Sequence, residues 1–270
     1  MSQEVIDFHV HFPANIYPKS KEEKQKQFIY RIDQLIEEMD ISNTKIAVIS
    51  SIEPMLRSSW LVLNNEKGKR YGGNETAFEA IKQSGGRLIG AFVPNCFQNV
   101  EVIKRDIQFF TEQYHFKVIK IHPWLGAFPA NSKELYPVFE AATELELPIL
   151  YHSGTIPFTT PAEMFDMAKR FPKVKVVLGH SGETELWHDV MALAEYADNL
   201  FIETSGQPNR IFLEQFVQRY GSERVLYGSD WLGTPGKMIF RQLEVNEIRI
   251  SEYDKNNILI NNAKRLLKLK

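Results

Sequence analysis

The sequence predicts a single (β/α)8 barrel, an α/β fold of the TIM-barrel type, with its chemistry at the C-terminal ends of the strands. Three observations lead there. Eight short apolar runs alternate with longer amphipathic ones along 270 residues. Most of the short runs, such as Lys173 to Gly179, are almost continuously apolar, the mark of parallel strands buried on both faces. The length is that of a one-domain α/β barrel, about 250 residues, so one domain is expected over residues 1–270. An open doubly wound sheet is the alternative. It would carry a glycine-rich phosphate turn, and neither GxGxxG nor GxxxxGK(S/T) occurs.

In order, the expected strands are Val5–Phe12, Lys45–Ile52, Arg87–Pro94, Lys117–Pro123, Pro148–Gly154, Lys175–Gly182, Leu200–Gly206 and Val225–Trp231. The expected helices between them are Glu23–Met39, Asn74–Gln83, Asn99–Tyr114, Glu134–Leu145, Pro161–Arg170, Glu185–Ala197, Asn209–Tyr220 and Lys237–Val245, with a closing helix over Glu252–Lys268. Thr160, Pro161 and Glu163 offer an N-cap, a proline at N1 and a glutamate at N3 that can reach back to the cap. Ser251 with Asp254 starts the last helix in a similar way, and Gly221 can supply a left-handed stop after Tyr220. Two connections, Pro13–Glu22 and Glu53–Gly73, are long enough to act as binding loops, and in a barrel both lie on the active-site face.

Composition narrows the function classes. Hydrophobic residues make up 43% and charged residues 24%, and the net charge of -2 argues against a nucleic-acid surface. No apolar run approaches the ~20 residues of a membrane span. The acidic start, which soon becomes a strand, does not read as a secretory signal, so a cytoplasmic enzyme acting on a small molecule is expected. The one cysteine, Cys96, excludes an internal disulfide and a cysteine-held zinc cluster. With no activating neighbour in sequence, it reads as buried and inert.

The histidines carry the functional signal. His9 and His11 form His-Val-His in the first strand, where residues two apart share a face. His122, His152 and His180 end the fourth, fifth and sixth strands, and Asp230 ends the eighth. In a closed barrel those ends ring one cavity. Imidazoles with one carboxylate suit a divalent ion such as zinc, manganese, iron or nickel, which lowers the pKa of a bound water or polarises a carbonyl.

This set resembles the amidohydrolase superfamily, and within it amidohydrolase family 2. The match is carried by Asp7 to His11, Ile119 to Pro123, Pro148 to Gly154, Gly179 to Gly182, Arg224 to Trp231 and Asn262 to Leu266, in the family's order over nearly the whole chain. The resemblance implies that His9, His11, His152 and Asp230 bind one divalent metal ion, zinc being the first expectation, with His180 a catalytic histidine beside it. It also implies an enzyme, and homodimers are common among similar proteins. The branch contains both hydrolases and decarboxylases. Its decarboxylases tend to be longer than this chain, which favours hydrolysis of a small amide, ester or lactone, one that carries a carboxylate. Asp230 would then carry the water's proton, and His180 would orient the water or polarise the carbonyl. The alternative is non-oxidative decarboxylation of an aromatic or unsaturated acid. A further one is a silent barrel serving as a binding module, although no ligand is missing from the set. A binuclear barrel nuclease would want a glutamate ending the third or fourth strand, and neither end has one.

Around this set, His122, Trp124, Trp231 and Arg210 are the candidate substrate contacts; Arg210 is the guanidinium suited to a carboxylate. Asp7 shares strand parity with His9 and is expected to support the ligands from beneath. Lys120 is expected beside the site; some superfamily members carry a carboxylated lysine on this strand, while family 2 is usually mononuclear. Arg57, Arg70, Trp60, Phe128 and Phe158 are weaker lining candidates. His115 and His188 read as structural.

Overall fold

Eight parallel strands pair in sequence order, β1 to β8, into one sheet that curls into a nearly closed barrel. They are β1 (Val5–Phe12), β2 (Thr44–Ser51), β3 (Leu88–Phe92), β4 (Val118–Ile121), β5 (Ile149–His152), β6 (Val176–Gly179), β7 (Leu200–Glu203) and β8 (Val225–Leu226). This computed structural model describes residues 4–12, 20–56, 73–207 and 210–270. Most of both long loops, with Arg57, Trp60 and Arg70, therefore lies outside the described residues. The seam between β8 and β1 is closed by Phe8 N–H donating to Tyr227 O (2.9 Å), Asp230 N–H to His9 O (2.8 Å) and His11 N–H to Trp231 O (2.9 Å).

The outer ring comprises α1 (Lys21–Ile41), α2 (Asn74–Gln83), α3 (Val100–Tyr114), α4 (Tyr136–Glu144), α5 (Pro161–Arg170), α6 (Trp187–Leu193), α7 (Arg210–Tyr220) and α8 (Lys237–Glu247). Local sequence explains several boundaries. Thr160 and Glu163 form a reciprocal capping box at α5. Ser251 Oγ accepts from Asp254 N at 3.1 Å where the last helix begins, and Gly221 after α7 has φ +80°. The last helix is a helix of three parts, Glu252–Asn256, a π-turn Asn257–Asn261 and Asn262–Leu266. Its Ala263 and Leu267 pack with Ile6, Phe8, Leu150, Val177 and Leu226 inside the barrel, so this helix seals the end opposite the histidines.

Most strands are shorter than the apolar runs predict, and the missing residues form the mouth. His180 begins a 3-10 turn, His122 caps the short helix Pro123–Gly126, and Asp230 lies beyond β8. His180 and Asp230 have φ of 67° and 53°, a region costly for residues with a Cβ and found preferentially at functional sites.

The second correction concerns β1. The register against β2 slips between Asp7 and Val10, as at a bulge. Ile6 and Phe8 belong to the barrel interior, whereas Val5 and Val10 pack on the helix side. His9 therefore joins the inward face after the slip, and Asp7 does not share its parity.

Candidate metal centre and active site

His9, His11 and Asp230 converge. His9 Nε2 lies 3.1 Å from His11 Nε2, and Asp230 Oδ1 lies 3.2 Å from His11 Nε2 and 3.7 Å from His9 Nε2. Burial, aided by the charge of Lys120, pushes His9 well below its ordinary pKa, and burial lowers His11 as well, so both imidazoles are neutral. His9 Nδ1 is 2.9 Å from the buried Glu203 Oε1, which leaves a lone pair on Nε2. Ser50 Oγ, 3.1 Å from His11 Nδ1, can accept or donate, so His11 Nε2 can also present a lone pair. With both Nδ1 atoms protonated, two imidazole lone pairs and a carboxylate oxygen face one point. The donor set therefore fits a divalent metal.

Asp230 divides its two oxygens. Oδ1 faces the histidines, and Oδ2 accepts from Lys237 Nζ at 3.1 Å, while the same ammonium also bonds Asp230 O. Burial alone would raise the Asp230 pKa. The hydrogen bond with His11 and the nearby imidazoles instead hold it well below the carboxylate range. Lys120 is wholly buried with Nζ 2.8 Å from His9 Nε2, and desolvation lowers its pKa to about 8.

His152 and His180 form a second group. His152 Nε2 is not among the atoms that converge with His9, His11 and Asp230. It lies 2.8 Å from Thr155 Oγ1 and 3.8 Å from Glu183 Oε1, and the structure groups it with His180 and Glu183. His122 stacks on it with ring centroids 3.9 Å apart, and burial with the neighbouring His152 keeps His122 neutral. His180, pushed down to about 3 by burial and by His9, has its ring 4.6 Å from that of His152 and 5.1 Å from that of His9. The residues from His180 to Glu183 all have positive φ. Gly182 N donates to Ser153 Oγ (3.0 Å) and Gln207 Nε2 to Glu183 O (2.9 Å), which pins this turn. Burial raises the Glu183 carboxyl.

Other expected contacts sit differently. Arg210, first in α7, pairs with Glu247 at the end of α8 and makes no described contact with the histidines. Trp124 is half-exposed beside His122. Trp231 is fully buried, and its Nε1 has no hydrogen-bond partner among the described residues. Asp7 Oδ1 accepts from His9 N (3.1 Å) and Ser229 N (3.0 Å), so it ties the backbones of the His9 and Asp230 segments together. Burial pushes its carboxyl up to about 7. Sequence reasoning missed Glu203, Glu183 and Lys237. Only Glu203 carried the signal used for the histidines, a polar residue closing an apolar strand.

No curated protein matches the chain. Solved structures share its fold. A 2,6-dihydroxybenzoate decarboxylase from Rhizobium is 16% identical with a TM-score of 0.74, covering 99% of each chain. A dihydroxybenzoic acid decarboxylase from Polaromonas sp. JS666, with bound manganese and the inhibitor 2-nitroresorcinol, is 15% identical with a TM-score of 0.73, over 99% of this chain and 97% of that one. A 4-oxalomesaconate hydratase from Rhodopseudomonas palustris is 18% identical with a TM-score of 0.71, over 98% and 95%. The profile of the family described as Amidohydrolase spans residues 6–269, every histidine and carboxylate of the site included, and the chain therefore belongs to this family of enzymes.

Proposed function

We propose that the protein is a metal-dependent, non-oxidative decarboxylase of an aromatic or unsaturated carboxylic acid bearing a hydroxyl group near the carboxylate. The observation that carries this is the division of labour in the site. Asp230 has one oxygen turned to the histidines and the other held by Lys237, so it is poorly placed to shuttle the proton that hydrolysis requires. Proton handling falls to His180 and Glu183, on the other side of the site. The likeness to decarboxylases over 99% of each chain also removes the force of the length argument for hydrolysis.

His9, His11 and Asp230 would hold the ion, with His152 the fourth ligand that the family resemblance implies. A bound divalent cation, manganese or zinc, would supply positive charge that fixes the substrate carboxylate or hydroxyl. Lys237 adds positive charge at the mouth. His180 accepts the hydroxyl proton, which enriches the substrate carbon that carries the carboxylate. Glu183, whose side chain is 37% exposed, gives that carbon a proton and regains one from solvent. The carbon–carbon bond then breaks, its electron pair stays with the substrate, and CO2 leaves.

Hydrolysis is the second reading, favoured by the ionised state of Asp230. The test is protein loaded with manganese or zinc and offered dihydroxybenzoates, an unsaturated dicarboxylate, a lactone and an amide, with CO2 release and ring opening followed separately. CO2 release from a hydroxylated acid supports the proposal. Turnover of the lactone or amide alone overturns it.

A further inference from the structure

Glu203 sits at the end of β7 with no exposed surface and gathers four donors. Its Oε2 accepts from Ser205 N at 2.6 Å. Its Oε1 accepts from His180 N at 2.7 Å and stands 2.9 Å from His9 Nδ1 and 2.5 Å from Ser205 Oγ. Ser205, also fully buried, has its Oγ 2.9 Å from His180 Nδ1 and 3.3 Å from His9 Nδ1. These distances allow the protons to be counted. The two backbone N–H groups can only donate, so both carboxylate oxygens already act as acceptors. With Glu203 ionised, the state that these two N–H donors favour, His9 Nδ1 carries a proton and the serine hydroxyl points its hydrogen at Oε1. A hydroxyl has one hydrogen. With it committed to Glu203, Ser205 Oγ can only accept from His180, so His180 carries its proton on Nδ1.

Packing fixes the same edge of the ring. Gly206 follows Ser205 at φ +64°, and a Cβ there would lie 2.7 Å from His180 Nδ1. The Nδ1 edge is thus seated against the Ser205–Gly206 turn, which admits no side chain at Gly206.

We propose that Glu203, acting through Ser205, locks His180 in its Nδ1–H form, so that one buried carboxylate gives both His9 and His180 an Nε2 lone pair. Glu203 and Ser205 are positioning residues; His180 is the group that meets substrate. A neutral imidazole in this form has no Nε2 proton to offer a carbonyl. It is an acceptor. The substrate O–H bond breaks, the proton moves to His180 Nε2 and the electron pair stays on oxygen. The imidazolium keeps its Nδ1–H on Ser205, the serine keeps its hydrogen on Glu203, and the Nε2 proton later returns to the product oxygen. No proton runs along the chain. This catalytic part rests on the function proposed above; the form of the ring in the resting protein does not.

The test is long-range 1H–15N correlation on the full-length protein carrying 15N-histidine and loaded with zinc, without substrate. The His180 signals are assigned by their loss in His180→Asn. The expected pattern is a protonated Nδ1 and an unprotonated Nε2. In Ser205→Ala the proton should move toward Nε2 of His180, while His9, still held by Glu203, keeps its Nδ1–H. In the same variant kcat should fall about 10–100-fold, and metal affinity by less than about tenfold. Glu203→Gln should disturb both histidines; if it does not fold, the wild-type and Ser205→Ala spectra still decide. An Nε2–H signal for His180 in the wild type, or an unmoved tautomer in Ser205→Ala, overturns the proposal. The expected spectra with no turnover of any acid would overturn the decarboxylase reading alone.

Discussion

The two halves of the mouth are built on different principles. On the β1, β7 and β8 side, His9 Nδ1, the Glu203 carboxylate and Asp230 Oδ2 are each held by a neighbour, and Asp7 ties the His9 and Ser229 backbones together. On the β4, β5 and β6 side, neutral imidazoles stack on one another and the backbone runs through consecutive left-handed residues from His180 to Glu183. The first arrangement fixes lone pairs at one point, which suits a cation. The second presents an edge of neutral rings and a raised carboxyl, which suits a substrate that exchanges protons. We infer that one ring of strand-end histidines serves two roles, His152 belonging to the proposed metal set although it packs with the second group.

Removing a proposed ligand should separate the halves most sharply. Asp230→Asn or His11→Ala should lower metal affinity at least about 100-fold, read by competition with a chromophoric chelator. Glu183→Gln should leave affinity nearly unchanged while kcat falls about 100-fold or more. Equal losses of metal in both would erase the division.

Two glycines test the same boundary without replacing a functional side chain. A Cβ at Gly228 would stand 2.3 Å from Glu203 Oε2 and 2.9 Å from His9 Cβ. Gly228→Ala should therefore weaken metal binding about 10–100-fold. A Cβ at Gly154 would stand 2.6 Å from Glu183 Cγ, at φ +107°. Gly154→Ala should slow turnover but retain the ion, and both variants should lose about 1–3 kcal/mol of stability. Next in size, Lys237→Met frees Asp230 Oδ2 and should cost about tenfold in metal affinity, measurable in the same competition.

The barrel was legible because apolar runs and caps are local: β1, α2 and α5 begin and end where the sequence places them. The strand ends were less so. Nothing in His180 or Asp230 announces a left-handed backbone, which neighbouring strands impose through bonds such as Asp230 N to His9 O. The slip in β1 is likewise a property of its pairing with β2, and Ile6 to His11 by themselves read as strict alternation. The roles of Glu203 and Lys237 depend on contacts across 194 and 7 residues respectively, and no periodicity encodes them.

Arg210 provides the smallest effect and a clean control on that point. In sequence it follows β7, where a guanidinium can clamp a carboxylate. In the fold it opens α7 and pairs with Glu247, both side chains about half exposed. Exposed pairs of this kind contribute about 0–1 kcal/mol. Arg210→Ala should change Tm slightly and leave KM for an acid substrate within about twofold, whereas Lys237→Met should raise it. If Arg210→Ala raises KM tenfold and Lys237→Met does not, the substrate carboxylate reaches past the mouth to α7, and the charge that receives it lies on Arg210 and not on Lys237.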